Sequence, residues 1–223
     1  MLQHKEIKTS FFVFDLDDTL FKEVDYQTSG YIQLIQLIKK IYGRDIEKEV
    51  KKLINKKDND IMGKICQILE VPISVKESFL WFYRLHMPNI SIEKDLKNTI
   101  EYINKTSKGV AILSDGRSVT QRSKIRSLGL NKFPCFISEE YEDEKPSLER
   151  FKIIMEKYDA DKYIYVGDNP LKDFLAPNML GWDTVGLLPN EDNIHIYTSK
   201  KKLPKNHSPN FWIKSISDLI QRI

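Results

Sequence analysis

No apolar stretch in this chain comes near the roughly 20 residues that a bilayer-crossing helix needs, so no membrane partner is expected. Cysteine is scarce. Cys66 and Cys135 are the only two, and their spacing suits neither a metal nor a redox pair. At most one disulfide could form, and so lean a count fits a reducing compartment. The opening stretch, Met1 to Ser10, is polar and lacks the apolar core of a secretory leader, so the expected location is cytoplasmic. An excess of one charge is also missing. Lys and Arg number 35 against 32 Asp and Glu, and a net charge of +3 gives no argument for nucleic acid. Repeats, low-complexity tracts and recognisable Ser, Cys or His nucleophile motifs are absent too.

What is present is a rhythm. Short apolar runs recur at Phe11–Phe14, Val110–Leu113, Cys135–Ile137, Tyr163–Val166 and Thr184–Leu187. Amphipathic stretches lie between them, at Glu93–Lys105, Val119–Leu128 and Ser147–Tyr158. The last is expected to bury Leu148, Phe151, Ile154, Met155 and Tyr158 on one stripe. Strands that are apolar throughout and alternate with helices imply a parallel sheet covered on both faces. With 223 residues, the chain can bury a full core and still carry an inserted unit. Residues 21 to about 90 break the rhythm and show no strand pattern. Helices are expected at Tyr31–Ile38 (ending near Gly43), Asp45–Lys56 with Asp45 as N-cap, Ile61–Leu69 and Ser74–His86. Trp81, Phe82 and Tyr83 are read as core of that helical block. The polar segment Leu188–Asn210 holds Lys200-Lys201-Lys202, read as a solvated loop. A short strand at Phe211–Ile213 and a closing helix around Ser217–Ile220 follow.

The polar residues that end the strands carry the chemistry. Phe11-Phe12-Val13-Phe14 runs into Asp15, and Asp17 follows two residues later, on the same face if the extended geometry persists. Like charges that close need a cation or a shared proton. The second run ends in Ser114-Asp115-Gly116, and the fourth in Gly167-Asp168-Asn169, with Asp173 five residues after Asp168. Lys145, before Pro146, lies between those two. Taken singly, each has a plain reading as a helix cap, a turn former or a surface charge. Together they fall on the carboxyl edge of one sheet, where open parallel sheets bind ligands. Asp15 and Asp168 offer hard oxygens to Mg²⁺. Lys145 offers an ammonium to a phosphate, Ser114 a hydroxyl, and the turn through Gly116 backbone amides. The group best placed to attack phosphorus is a carboxylate.

These residues, Asp15-x-Asp17-x-Thr19, Ser114, Lys145 and Gly167-Asp168-x-x-x-x-Asp173, resemble the four ordered motifs of the haloacid dehalogenase-like (HAD) superfamily. The likeness covers the chain outside the helical block and the tail. The fold it implies is a Rossmann-like three-layer α/β core with a parallel sheet, residues 1–20 and 91–223, plus a small all-helical cap, residues 21–90. The resemblance makes Asp15 the nucleophile, forming an aspartyl-phosphate. It makes Asp17 the acid and base, whose backbone carbonyl also binds Mg²⁺. Ser114 would hold the phosphoryl group, Lys145 would stabilise nucleophile and intermediate, Asp168 would bind metal, and Asp173 would support the metal site. Asp115 departs from the frequent Asn and is expected to turn its backbone N–H, not its carboxylate, toward the phosphate. Dehalogenases of this fold lack an acid at the position of Asp17, because a leaving halide needs no proton, so Asp17 argues for phosphoryl chemistry.

The implied partner is a small phosphorylated metabolite (a sugar phosphate, nucleoside monophosphate or phosphoglycolate-like acid), bound by a monomer or a homodimer. Tyr83, Arg84, His86 and Arg117 are the candidates for gripping its far end. Solvated surface charge is the plainer reading of the two arginines. Alternatives kept beside the phosphatase are a phosphotransferase or phosphomutase of the same fold, and a catalytically idle regulatory binding module.

Overall fold

The computed structural model describes residues 7–189 and 203–221. Lys200-Lys201-Lys202 lies outside the described residues. Contacts divide the described chain into a core unit, residues 7–24 and 91–221, and a helical unit, residues 25–90.

The core unit is built on six strands: β1 (Ser10–Phe14), β2 (Gly109–Ser114), β3 (Cys135–Ile137), β4 (Lys162–Gly167), β5 (Asp183–Leu187) and β6 (Phe211–Ile213). Every pairing is parallel, in the order β3-β2-β1-β4-β5-β6. All five residues of β1 are buried, which is why its sequence shows no alternation. Phe11 and Val13 face one layer, where they join Ala111, Leu113, Phe136, Phe151, Ile154 and Tyr165 in one apolar cluster. Phe12 and Phe14 turn to the opposite face and are equally inaccessible. The sheet is therefore covered on both sides, the three-layer Rossmann-like arrangement. Chain order reverses direction at β1, between β2 and β4. The crevice at such a reversal is where an open parallel sheet binds its ligand.

Helix α5 (Lys94–Thr106) precedes β2, and α6 (Ser118–Ser127) follows it. A single turn, α7 (Ser138–Tyr141), then leads to α8 (Glu149–Lys157), α9 (Pro170–Asp173), α10 (Leu175–Met179) and the closing α11 (Asp218–Gln221). One expectation needs correction here. Met155 is 38% exposed and leaves the α8 stripe. It lies one residue, hence about 100°, round from the buried Ile154. The buried face of α8 is Arg150, Phe151 and Ile154, with Arg150 only 1% exposed. On α6 the buried residues are Gln121, Lys124 and Ile125, while Val119 points to solvent.

The helical unit contains α1 (Glu23–Tyr42, beginning in the core unit), α2 (Glu47–Asn55), α3 (Ile61–Leu69), a 3₁₀ turn at Ile73–Val75 and α4 (Lys76–Leu85). Leu34, Ile38, Val50, Ile65, Cys66 and Phe79 form its core. Helix α1 starts eight residues before the expected Tyr31, through a stretch with little apolar periodicity. Gly30 is needed there, because a Cβ would come within 2.5 Å of the Tyr83 ring. Asp45 is not the N-cap of α2. Ile46 holds that position, and Asp45 Oδ1 accepts the Glu47 N–H at 3.2 Å. Trp81 is not core either. It is 51% exposed, because α4 turns Phe79 inward and leaves Trp81 on the far side. No helix among the described residues is long and apolar enough to cross a membrane.

Candidate active site

Asp15 is the first residue past β1, and its N–H is tied to the Val166 carbonyl at 2.9 Å, level with the end of β4. This register puts the residues after β1, β2 and β4 round one opening. Asp15, Asp17, Asp18, Glu23, Ser114, Asp115, Lys145, Asp168, Asn169, Lys172 and Asp173 line a crevice of roughly 210 Å³, all of them from the core unit.

Lys145 is its fixed cation. The residue is 7% exposed, against the plain reading of a solvated lysine before proline. Its Nζ donates to Asp15 Oδ1 at 2.5 Å, to Asp173 Oδ1 at 2.6 Å and to the Tyr165 hydroxyl at 3.2 Å. Burial alone would lower the ammonium, but Asp15 and Asp173 outweigh it and hold it well above the ordinary lysine range. Both oxygens of Asp173 accept hydrogen bonds from the protein. Oδ1 also accepts from Tyr165 at 3.0 Å, and Oδ2 accepts the Asn169 N–H at 2.8 Å. It therefore supports the Lys145 ammonium and the turn that carries Asp168. Gly167 makes room for it, since a Cβ there would reach the Asp173 carboxylate at 2.5 Å.

Asp15 and Asp168 face each other across Thr19, whose hydroxyl is 3.4 Å from Asp15 Oδ2 and 3.4 Å from Asp168 Oδ1. Burial pushes the Asp15 carboxyl up to about 7; Lys145 opposes the rise and Asp173 adds to it. Asp168 is pushed up to about 9, by burial first and then by Asp173 and Asp15. Glu23 rises to about 7 through burial and Asp17, with Lys124 opposing. The seven carboxylates lining the crevice outnumber the four cations beside them, Lys124, Lys145, Arg150 and Lys172, so ionising all of them calls for further positive charge. Ligand oxygens of Asp15, Asp168 and Asp173 lie within 4.8 Å of one another. Lys145 takes one oxygen of Asp15 and one of Asp173, so Asp15 Oδ2, the Asp168 carboxylate and Asp173 Oδ2 are the hard oxygens that could face a cation, a set that fits Mg²⁺.

Asp17 lines the same crevice but is held from another side. Its Oδ1 accepts from Lys124 Nζ at 2.6 Å, and its Oδ2 from Gln121 Nε2 at 2.7 Å. Ser114, 1% exposed, accepts from the same amide at 2.7 Å. Asp115 turns its carboxylate aside. Oδ1 takes Arg150 Nη2 at 2.5 Å and the Lys145 N–H at 3.2 Å, while Lys172 Nζ stands 3.7 Å from Oδ2. Gly116 adopts φ 136° and gives its N–H to Ser138 Oγ at 2.9 Å, not to the crevice. Arg117, a candidate for gripping the far end of the substrate, is exposed and lines a separate acidic depression with Gly116, Ser138 and Glu139. The Gly116 N–H therefore leaves the proposed phosphate grip, and Ser114, Lys145 and the Asp115 backbone N–H remain in it. Tyr83, Arg84 and His86 belong to the helical unit. There Tyr83 packs on Tyr31, Arg84 lies 5.6 Å over the Trp81 ring, and buried His86 places Nδ1 2.5 Å from the Tyr83 carbonyl.

Sequence patterns missed Gln121, Lys124, Arg150 and Glu23. A signal for two of them was present: residues 121, 124, 125 and 128 share one helical face, and half of that stripe is polar. Arg150 also donates from Nη1 to the carbonyls of Ser114 and Phe136, and from Nε to Asp143. Replacing Arg150 by Met should cost about 3–5 kcal/mol, since it strips buried acceptors of their partner. Urea unfolding measures this, and an unchanged midpoint would show that the network contributes nothing.

Parallel strands whose carboxyl ends open onto buried carboxylates and the buried Lys145 define an α/β protein with a candidate active site at its sheet edge. The chain belongs to the haloacid dehalogenase-like hydrolase family, whose profile matches residues 12–187. A curated relative, the ribulose-1,5-bisphosphate 5-phosphatase of Halopiger xanaduensis, is 27% identical over 116 residues, 50% of this chain and 48% of that protein. The match thus spans about half the length of that relative. Among solved structures, the chain is similar to a Bacillus subtilis protein described as HAD-hydrolase YfnB, determined bound to magnesium (TM-score 0.64, 17% identity, 96% of this chain and 98% of that one). It is similar to a 2-haloacid dehalogenase from Pseudomonas syringae pv. tomato (TM-score 0.60, 18%, 95% and 96%). A HAD phosphatase from Thermococcus onnurineus is a third (TM-score 0.57, 16%, 96% and 97%). Phosphatase and dehalogenase share this fold, so the fold alone does not choose the reaction.

Proposed function

We propose that this chain is a Mg²⁺-dependent phosphatase acting on a small phosphorylated metabolite. The observation that carries the reading is a second carboxylate, Asp17, lining the same crevice as Asp15. A hydrolase that expels a halide has no use for that acid, whereas one that expels an alkoxide does. Asp15 and Asp168, with the Asp17 backbone carbonyl, are the groups that would hold the cation. Bound there, Mg²⁺ would neutralise phosphate charge and draw phosphorus toward the nucleophile.

Asp15 attacks phosphorus through a carboxylate oxygen, and the P–O bond to the substrate breaks. Asp17 gives its proton to the departing alkoxide. Water then attacks the aspartyl-phosphate, Asp17 takes the water's proton, and the P–O bond to Asp15 breaks to release inorganic phosphate. Lys145 stays on Asp15 throughout, and Ser114 faces the phosphoryl oxygens. The name of the Halopiger relative supports a phosphorylated sugar as the first class to screen. Residues 21–90 are proposed as the cap.

The test is phosphate release from p-nitrophenyl phosphate and a panel of sugar phosphates, nucleoside monophosphates and phosphoglycolate, with Mg²⁺ and with EDTA. Turnover should vanish in EDTA, and turnover that survives it would overturn the metal assignment. Phosphate appearing on a second sugar hydroxyl instead of in solution would favour a phosphotransferase. No chemistry with any phosphate ester would favour the idle binding module. A melting measurement gives a second readout. Because Asp15 and Asp168 titrate above the ordinary carboxylate range, they help stability at low pH, and that help fades as pH rises toward about 7 and 9. Binding Mg²⁺ requires both ionised, so the gain in Tm from Mg²⁺ should grow over this range. A gain that shrinks with rising pH would exclude these ligands.

A further inference from the structure

We infer that Gln121 and Lys124 are positioning residues that aim Asp17 as acid and base, an inference that rests on the proposed phosphatase reaction. Lysine is almost never buried unless paired, yet the Lys124 side chain is 4% exposed. Its ammonium stands 2.6 Å from Asp17 Oδ1 and 5.8 Å from the Phe21 ring centre. Gln121 is 1% exposed. Its Nε2 reaches Asp17 Oδ2 at 2.7 Å, Ser114 Oγ at 2.7 Å and the Asp115 carbonyl at 2.8 Å. Turning that amide over would set an acceptor against the carboxylate and the carbonyl, so donors alone satisfy the site.

Both side chains leave one face of α6, three residues apart, a spacing that makes helical residues neighbours. One rigid element therefore grips both oxygens of Asp17. A short carboxylate held at two points loses the freedom to swing, and placement of an acid within a fraction of an ångström is worth large rate factors. The two N–H groups of the Gln121 amide are shared among three oxygens, and one of them ties the Ser114 hydroxyl to the same support. The phosphoryl-binding oxygen and the proton carrier are thus spaced by a single side chain. Simple neutralisation of Asp17 would need Lys124 alone. Gln121 brings no charge, and its Oε1 has no hydrogen-bond partner among the described residues, so its burial is explained by what its NH₂ holds.

The test uses full-length Lys124→Met and Gln121→Met with p-nitrophenyl phosphate and an alkyl phosphate. p-Nitrophenolate leaves without a proton, so formation of the aspartyl-phosphate needs no acid, whereas its hydrolysis still needs the base. We expect each variant to release p-nitrophenolate in a burst close to one equivalent, near the wild-type rate in Lys124→Met and slowed by less than the steady state in Gln121→Met, which also loses the tie to Ser114. Steady-state turnover should fall about 10²-fold, and alkyl phosphate turnover at least as far with no burst. Lys124→Arg should recover most of the loss. Burst and steady state falling by the same factor would mark a merely structural role and overturn the inference, as would no fall at all. If Lys124→Met does not fold, the neutral and nearly isosteric Gln121→Met decides alone. A wild type without turnover would overturn the phosphatase reading itself. An active wild type with an unimpaired Gln121→Met would overturn only this inference.

Discussion

Asp15→Asn should abolish phosphate release, by a factor on the order of 10⁴ or more. The carboxamide is nearly the same shape, so binding and packing are kept while the nucleophile is lost. Stability should barely move, for a physical reason. Asp15 is a buried acid whose ionisation burial already opposes, and Lys145 keeps its second partner, Asp173, at 2.6 Å. The melting temperature of the variant should therefore stay near that of the wild type while p-nitrophenyl phosphate turnover disappears. Turnover within tenfold of wild type, in a variant confirmed by mass, would remove Asp15 as the attacking group and the whole reaction with it.

Lys145→Met should damage both stability and activity. It leaves Asp15 and Asp173 buried together with no ammonium between them. Removing one partner of a buried charge cluster costs about 3–5 kcal/mol, because the remaining charge has neither water nor counter-ion. The loss has a predictable pH dependence. Lys145 is the main influence lowering the Asp15 carboxyl, so without it that group titrates higher still than about 7. A raised folded-state value means the native protein binds the extra proton, so stability is kept at low pH and lost as pH rises. Urea unfolding at about pH 5 and about pH 8 should show a deficit that is larger at the alkaline value. A deficit independent of pH would mean that the ammonium does not interact with Asp15 as the 2.5 Å distance implies. The variant should also lose turnover, since the ammonium that faces the nucleophile is gone.

The crevice is partly legible in the amino-acid sequence alone. Asp15, Ser114 and Asp168 each stand where an apolar run stops, and in a parallel sheet such stops lie at one edge. Lys145 can be read only by its order relative to them. Locally, a lysine before proline looks like surface, yet it is among the buried polar residues here. Gly116 and Arg117 stand close to Ser114 in sequence, but the turn sends the Gly116 amide to Ser138 and Arg117 toward a separate depression. Proximity along the chain is no guide to the direction of an N–H. Trp81 and Met155 depart from expectation for a similar reason. Apolar character says that a residue can be buried, while one step round a helix, about 100°, decides whether it is.

Local sequence was enough to determine the parallel α/β core and the line of acids at its edge, because strand burial and strand ends are written in runs of four or five residues. Only tertiary structure decided which cation each acid faces. Lys145 stands 130 positions from Asp15, and Lys124 stands 107 from Asp17, and no local pattern records those pairings. Burial turns an ordinary lysine or glutamine into a fixed electrostatic partner, and burial at such a seam exists only once the sheet has brought its strand ends together.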